Sequence, residues 1–152
     1  MERSWDHFPL FISSKDKAVL VVGGGKIATR RLKALLPFSF TITVVSPLIT
    51  EEMKAMRDSF HYLERKFQEE DLAGNFLVLA CTDDKELNRT IAQLCHEQGI
   101  YVSAASSKED SSFFFPGMYV EDDLLFALSS DGKDYHKTAK VLKAKRKEIH
   151  ED

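Results

Sequence analysis

Residues 17–31 read Lys17-Ala18-Val19-Leu20-Val21-Val22-Gly23-Gly24-Gly25-Lys26-Ile27-Ala28-Thr29-Arg30-Arg31. Up to Val22 the stretch is an almost unbroken aliphatic and β-branched run, the pattern of a strand covered on both faces in a parallel sheet. After Gly25 the pattern changes. Ile27, Arg30, Arg31, Ala34 and Leu35 stand at helical spacing, which predicts a helix from Lys26 that Pro37 stops. Strand, glycine turn and helix thus follow one another without a spacer.

Outward from this unit the alternation continues. Phe40–Val45 reads as a second strand closed by Ser46-Pro47, and Thr50–Arg57 as a short helix with an acidic start. His61–Arg65 and Phe76–Ala80 are further strands. Leu87, Ile91, Leu94 and Cys95 trace one helix face up to a C-capping Gly99, and Ile100–Ser103 is a fifth strand. Strands alternating with helices imply crossover connections and a parallel sheet. The pattern breaks after residue 106. Ser112–Phe115 and Leu124–Leu128 read as two strands with no helix between them, hence as an antiparallel pair. A charged helix is expected from Lys133 to about Ile149. The fold class is therefore α/β, a five-stranded parallel sheet of Rossmann type in residues 1–106. Residues 107–152 hold the strand pair and a C-terminal helix.

The composition narrows the function. The chain has 152 residues, 21 basic against 24 acidic, 43% hydrophobic and 30% charged. That is a globular balance, without the basic excess a broad nucleic-acid surface needs. The lysines between Lys137 and Lys147 carry no interleaved aromatics on which bases would stack, so they read as a solvated helix. Cys81 and Cys95 are too few for a disulfide framework or a four-ligand zinc site. His96 and His136 have no second ligand at metal spacing, so no metal is expected. The absence of a long apolar run, and of an apolar segment in residues 1–8, leads us to expect no membrane contact and a cytoplasmic setting.

The glycines carry the chemistry. Gly23-Gly24-Gly25-Lys26-Ile27-Ala28 is a G-x-G-x-x-A sequence placed directly between strand and helix. In that setting Gly23 allows the tight turn, Gly25 lets the backbone approach a pyrophosphate, and the helix N-terminus supplies N–H groups and a positive dipole end. The acidic residue that usually meets the ribose hydroxyl is missing and Ser46 stands in its place. NAD is the first expectation, and NADP stays open because a serine repels its 2′-phosphate less than an Asp would. Thr82 and Asp83 fall at the carboxyl end of the fourth strand, where open α/β sheets bind ligands. Asp83 or Asp84 is equally a candidate N-cap.

With these residues on the page, the chain resembles the precorrin-2 dehydrogenase/sirohydrochlorin ferrochelatase family, the N-terminal module of sirohaem synthases. The likeness runs from Phe8-Pro9-Leu10-Phe11 through the glycine segment, Thr43–Pro47, Leu79–Asp84 with Asn88, and Ser112–Pro116 to Ala127–Gly132. It implies oxidation of the tetrapyrrole precorrin-2 to sirohydrochlorin with NAD as hydride acceptor. It implies that Gly25, Lys26 and Ile27 hold the pyrophosphate, that Ser46, Pro47 and Leu48 flank the adenosine, and that Thr82 and Asp83 line the nicotinamide side. It implies a homodimer, to which Phe113, Phe114 and Phe115 lend apolar surface.

Three departures shape the expectation. The position of a family Asp, implicated in oxidation and chelation, is Ser106 here, and a serine hydroxyl is not an anionic base near neutral pH. Chelatase activity is therefore expected to be lost before dehydrogenase activity. The family usually continues with a further helical region. This sequence ends at Asp152, so a separate chelatase or helical partner is expected to complete the substrate site. A family Ser-Pro is replaced by Asp134-Tyr135. Lys108 and Lys133, with Lys137 and Lys140, are the candidate cations for the substrate's carboxylates. The competing reading is a non-catalytic module that binds NAD(H) or a tetrapyrrole for a partner. Trp5 is expected in a frayed N-terminal segment.

Overall fold

The computed structural model describes residues 4–150, which form two compact units: Ser13–Phe114, and the segment ending at Ile12 together with the chain from Phe115 onward. The first unit is a five-stranded parallel sheet. Its strands are β1 (Ala18–Val22), β2 (Thr41–Val45), β3 (His61–Leu63), β4 (Leu77–Ala80) and β5 (Tyr101–Ala104), in the spatial order β3-β2-β1-β4-β5. The order reverses between β1 and β4, the switch point at which such sheets open a crevice. Register brings the carboxyl ends level: Val22 pairs with Val45 and with Ala80, and Ala80 with Ala104. The loops that follow β1, β2, β4 and β5 therefore emerge along one edge.

Burial explains why the central strands are apolar throughout. Val19, Leu20, Val21 and Val22 are each at most 1% exposed, because helices cover both faces. Removing such side chains from water stabilises the fold by about 1.5–3 kcal/mol each. Helix α1 (Lys26–Leu35) turns Ala28, Thr29, Leu32 and Leu35 inward. This corrects the face read from the sequence, since Ile27 is 44% exposed and Arg30 points to solvent. Helix α3 (Lys85–Gln98) buries Asn88, Ile91, Ala92 and Cys95 and ends at Gly99, whose φ of 70° is the left-handed C-cap. Helix α2 is only Glu51–Ala55, and Arg57–Ser59 tightens into a 3-10 turn instead of extending it.

The second unit holds an antiparallel pair, but with a different first strand from the one expected. Gly117–Glu121 (β6), not Ser112–Phe115, pairs with Leu124–Leu128 (β7), in a register that matches Glu121 with Leu124. Asp122, at φ 48°, makes the turn. Ser111 and Ser112 are drawn elsewhere. Their hydroxyls accept the Ala104 and Val102 N–H groups (both 2.9 Å), and the Ser112 N–H donates to the Val102 carbonyl (2.8 Å). The serines thus seal the open edge of β5. The half-buried Phe113–Phe115 follow outside any strand, ahead of a proline that has no N–H to give a ladder. Helix α4 (Tyr135–His150) packs on β6, where Gly117 leaves room for Leu142 and Thr138.

The N-terminal segment is anchored, contrary to the expectation for Trp5. The Asp131 carboxylate, its side chain 1% exposed, accepts the Asp6 N–H (3.1 Å) and pairs with His7 Nδ1. Lys133 Nζ lies 3.6 Å from the same carboxylate and 5.7 Å from the centre of the Trp5 ring. Among the described residues no helix is long and apolar enough to cross a membrane.

Candidate functional site

The glycine turn is wedged between two neighbouring loops, and this packing dictates two of its three glycines. A Cβ on Gly23 would stand 2.4 Å from the Cys81 carbonyl oxygen, and φ there is 121°. A Cβ on Gly24 would stand 1.9 Å from the Leu48 carbonyl oxygen and 2.9 Å from Ser46 Oγ. Gly23 therefore faces the loop after β4, and Gly24 the loop after β2. The Gly23 N–H donates to the Val45 carbonyl (3.0 Å) and the Gly24 carbonyl accepts the Thr50 N–H (3.0 Å). Gly25 is different: nothing lies within 4 Å of where its Cβ would be.

Gly25 is also the N-cap of α1, and it caps nothing with a side chain. No acidic residue occupies the first turn. The other two helix starts in this unit are plugged, α2 by the Thr50 hydroxyl on the Met53 N–H (3.2 Å) and α3 by the Asp84 carboxylate on the Leu87 N–H (3.1 Å). Asp84, not Asp83, is thus the cap. The start of α1 fits a dinucleotide pyrophosphate: backbone donors, a positive dipole end and open space over a glycine. A hydroxyl chain steadies it. Thr29 Oγ1 donates to the Gly25 carbonyl (2.8 Å) and meets Thr50 Oγ1 (2.8 Å). Lys26 and Ile27, the other two predicted pyrophosphate residues, are exposed beside Gly25.

On the β2 side, Ser46 is buried and donates its hydroxyl to the Leu48 carbonyl (2.7 Å). Its proton is spent within the loop, so toward a ribose it has only a lone pair to offer. Tyr62 donates to the Ser46 carbonyl (3.0 Å), and burial keeps that phenol above its usual pKa. Pro47 and Leu48 are exposed, Leu48 by 80%.

On the β4 side, the organising residue is one that the sequence reading quoted only as part of the family likeness and gave no role. Asn88 is fully buried on α3. Its Oδ1 accepts the Thr82 N–H (3.1 Å) and hydroxyl (2.6 Å), and its Nδ2 donates to the Thr82 carbonyl (2.9 Å) and to Ser106 Oγ (3.3 Å). One amide therefore joins the end of β4 to the turn after β5. A polar residue on the buried stripe that also carries Ile91 and Cys95 is the signal that marks it. Asp83 is exposed beside Thr82.

Lys108 lies exposed in the loop after β5, in the same unit as Ser106. Lys133 belongs to the other unit, where Asp131 engages it. His96 Nε2 sits 2.9 Å from the Asp110 carbonyl oxygen, and among the described residues no three His, Cys, Asp or Glu side chains gather as a metal site. Burial pushes the Cys81 and Cys95 thiols up to about 11, which makes both of them packing groups and not nucleophiles.

The chain is similar to known proteins over most of its length. A family described as "Putative NAD(P)-binding" matches residues 10–117. A multifunctional siroheme biosynthesis protein of Ruminiclostridium josui is 39% identical over 140 residues, covering 91% of this chain and 27% of its own length. A siroheme synthase of Thioalkalivibrio sulfidiphilus is 39% identical over 129 residues, covering 84% of this chain and 26% of its own. This chain thus spans about a quarter of those curated relatives. Among solved structures, SirC, a precorrin-2 dehydrogenase, superposes with a TM-score of 0.76 at 31% identity, covering 91% of this chain and 69% of the other.

Proposed function

We propose that this chain, which belongs to the NAD(P)-binding precorrin-2 dehydrogenase/sirohydrochlorin ferrochelatase family, oxidises precorrin-2 to sirohydrochlorin with NAD. The observation that carries the reading is the unplugged start of α1 at the switch point, with Gly25 open above it and the Thr82–Asn88–Ser106 cluster on the neighbouring loops. The N–H groups of the first turn, with Gly25, Lys26 and Ile27, bind the pyrophosphate. Ser46, Pro47 and Leu48 flank the adenosine, and Thr82 and Asp83 hold the nicotinamide end. NAD, when bound, supplies the hydride acceptor. Ser106 contacts the substrate, and Lys108, in the same unit, serves its carboxylates.

Iron insertion is not part of the reading, because the hydroxyl of Ser106 is neither an anionic ligand nor a base. The chain works in the cytoplasm as a homodimer built on the antiparallel strands, with the exposed Val120, Leu124 and Leu125 of the hairpin taking the place of the half-buried Phe113–Phe115 as its apolar contact surface. A separate chelatase or helical partner takes the product onward. Ser106 also favours a second reading, a non-catalytic NAD(H)- or tetrapyrrole-binding module that needs such a partner.

The deciding experiment is anaerobic: purified chain, enzymatically made precorrin-2 and NAD, followed by NADH absorbance and the sirohydrochlorin spectrum. NADH formed in step with sirohydrochlorin, faster than spontaneous oxidation, is the expected result. Absence of turnover with calorimetric NAD binding intact would shift the assignment to the binding module. Sedimentation of a monomer alone would refute the dimer.

A further inference from the structure

The Asn88 amide can sit only one way round. Thr82 offers it a backbone N–H, which cannot accept, so the facing atom is Oδ1. It also offers a carbonyl, which cannot donate, so the other facing atom is Nδ2. A flipped amide would set donor against donor and acceptor against acceptor in a fully buried place. The second Nδ2 proton then meets Ser106 Oγ, and that oxygen is the acceptor. Ser106 has a single proton, and it has to point away from Asn88. Among the described residues none takes it, and the side chain is exposed.

We infer that Asn88 fixes the polarity of Ser106, so that the turn after β5 presents the substrate with a hydrogen-bond donor and selects an acceptor oxygen there. On the dehydrogenase reading, on which this inference rests, that oxygen belongs to a side-chain carboxylate of the macrocycle. Asn88 is the positioning residue and Ser106 the group that touches substrate. The same amide holds Thr82, so the cofactor side and the substrate side of the crevice are set by one side chain.

The test is the anaerobic assay on the full chain and its variants, with NAD affinity measured by calorimetry. Ser106→Ala is expected to lower kcat/KM for precorrin-2 about tenfold, the worth of a hydrogen bond to a charged acceptor, and to leave NAD affinity unchanged. Ser106→Thr, which keeps the hydroxyl, restores activity. Asn88→Ala lowers kcat/KM by itself, and adding Ser106→Ala then costs less than about threefold more, a coupling that a purely structural Asn88 would not show. Ser106→Ala with parental kcat/KM overturns the inference, as does full additivity of the two substitutions. Where Asn88→Ala fails to fold, the Ser106→Ala and Ser106→Thr pair decides. A parent chain without turnover defeats the dehydrogenase reading separately. The donor is then read by fluorescence titration with sirohydrochlorin, where about tenfold weaker binding by Ser106→Ala supports it and equal affinity overturns it.

Discussion

Gly24 and Gly25 are adjacent and chemically identical, yet the structure assigns them opposite consequences. In Gly24→Ala the new methyl would stand 1.9 Å from the Leu48 carbonyl oxygen, where 3.4 Å is ordinary contact. One of the two loops must therefore retreat by about 1.5 Å. That retreat strains the Thr50 N–H bond to the Gly24 carbonyl (3.0 Å) and the Ser46 bond to Leu48 (2.7 Å). Two weakened hydrogen bonds and an overpacked turn amount to about 3 kcal/mol. For a chain of this size that lowers Tm by roughly 6–12 °C.

Gly25→Ala meets no atom within 4 Å, and its φ of −88° suits any residue. The poorer cap and the stiffer unfolded chain nearly offset each other, so Tm stays within about 4 °C of the parent. NAD affinity is expected to fall at least about tenfold, because the methyl fills the space through which phosphate oxygens approach the backbone. Thermal scans by circular dichroism and calorimetric NAD titrations read the two effects separately. Parental NAD affinity in Gly25→Ala would refute the placement of the pyrophosphate. A parental Tm in Gly24→Ala would show that the Leu48 loop yields freely, and the packing argument would fail.

Two further outcomes follow from charge. Arg65 holds the Asp71 carboxyl below its ordinary 3.8, chiefly through the side-chain hydrogen bond (2.6 Å), so the stabilisation is complete above that value and is lost as the folded group protonates. Asp71→Asn is expected to cost about 1 kcal/mol at pH 7, and the Tm gap to the parent should close below pH 3.8; a gap constant down to pH 2 would exclude the pair as its source. In the second unit, Asp131→Asn keeps a residue tolerant of φ 58° while removing the charge that holds Asp6 and His7. Acrylamide quenching of Trp5, the chain's one tryptophan, is expected to rise, and unchanged quenching would mean that the segment is held by other contacts.

What the sequence disclosed was what repeats along the chain. The unbroken apolar run of β1 and the spacing of Ile91 and Cys95 report burial directly, so the sheet and its helices were legible. Single hydrogen bonds across long separations were not. Ser112 read as a strand start, and only the structure shows its hydroxyl, with that of Ser111, closing the edge of β5. That capture moves the first strand of the hairpin forward to Gly117. Likewise the three glycines read as one motif, although Gly23 and Gly24 answer to Cys81 and Leu48, residues distant in sequence, and Gly25 answers to no protein atom.

The open start of α1 is a cost to the fold, and this can be tested in the direction of gain. An Asp at position 25 would sit in the extended backbone that an N-cap adopts, φ −88° and ψ −164°, with no neighbour to crowd it. Its carboxylate would accept from the first-turn N–H groups, as Asp84 does for α3, and would complement a helix start that has no acidic residue. A few tenths of a kcal/mol from the cap and a similar amount from the dipole make Gly25→Asp about 0.5–1 kcal/mol more stable. Tm should rise by roughly 1–4 °C. The same carboxylate occupies the donors that a pyrophosphate needs and repels its charge, so NAD binding should vanish from calorimetry as Tm rises. A variant that gained stability and still bound NAD would place the cofactor's phosphates away from this helix. A variant that lost both would mean that the backbone at Gly25 changes on substitution and that its apparent openness is not usable space.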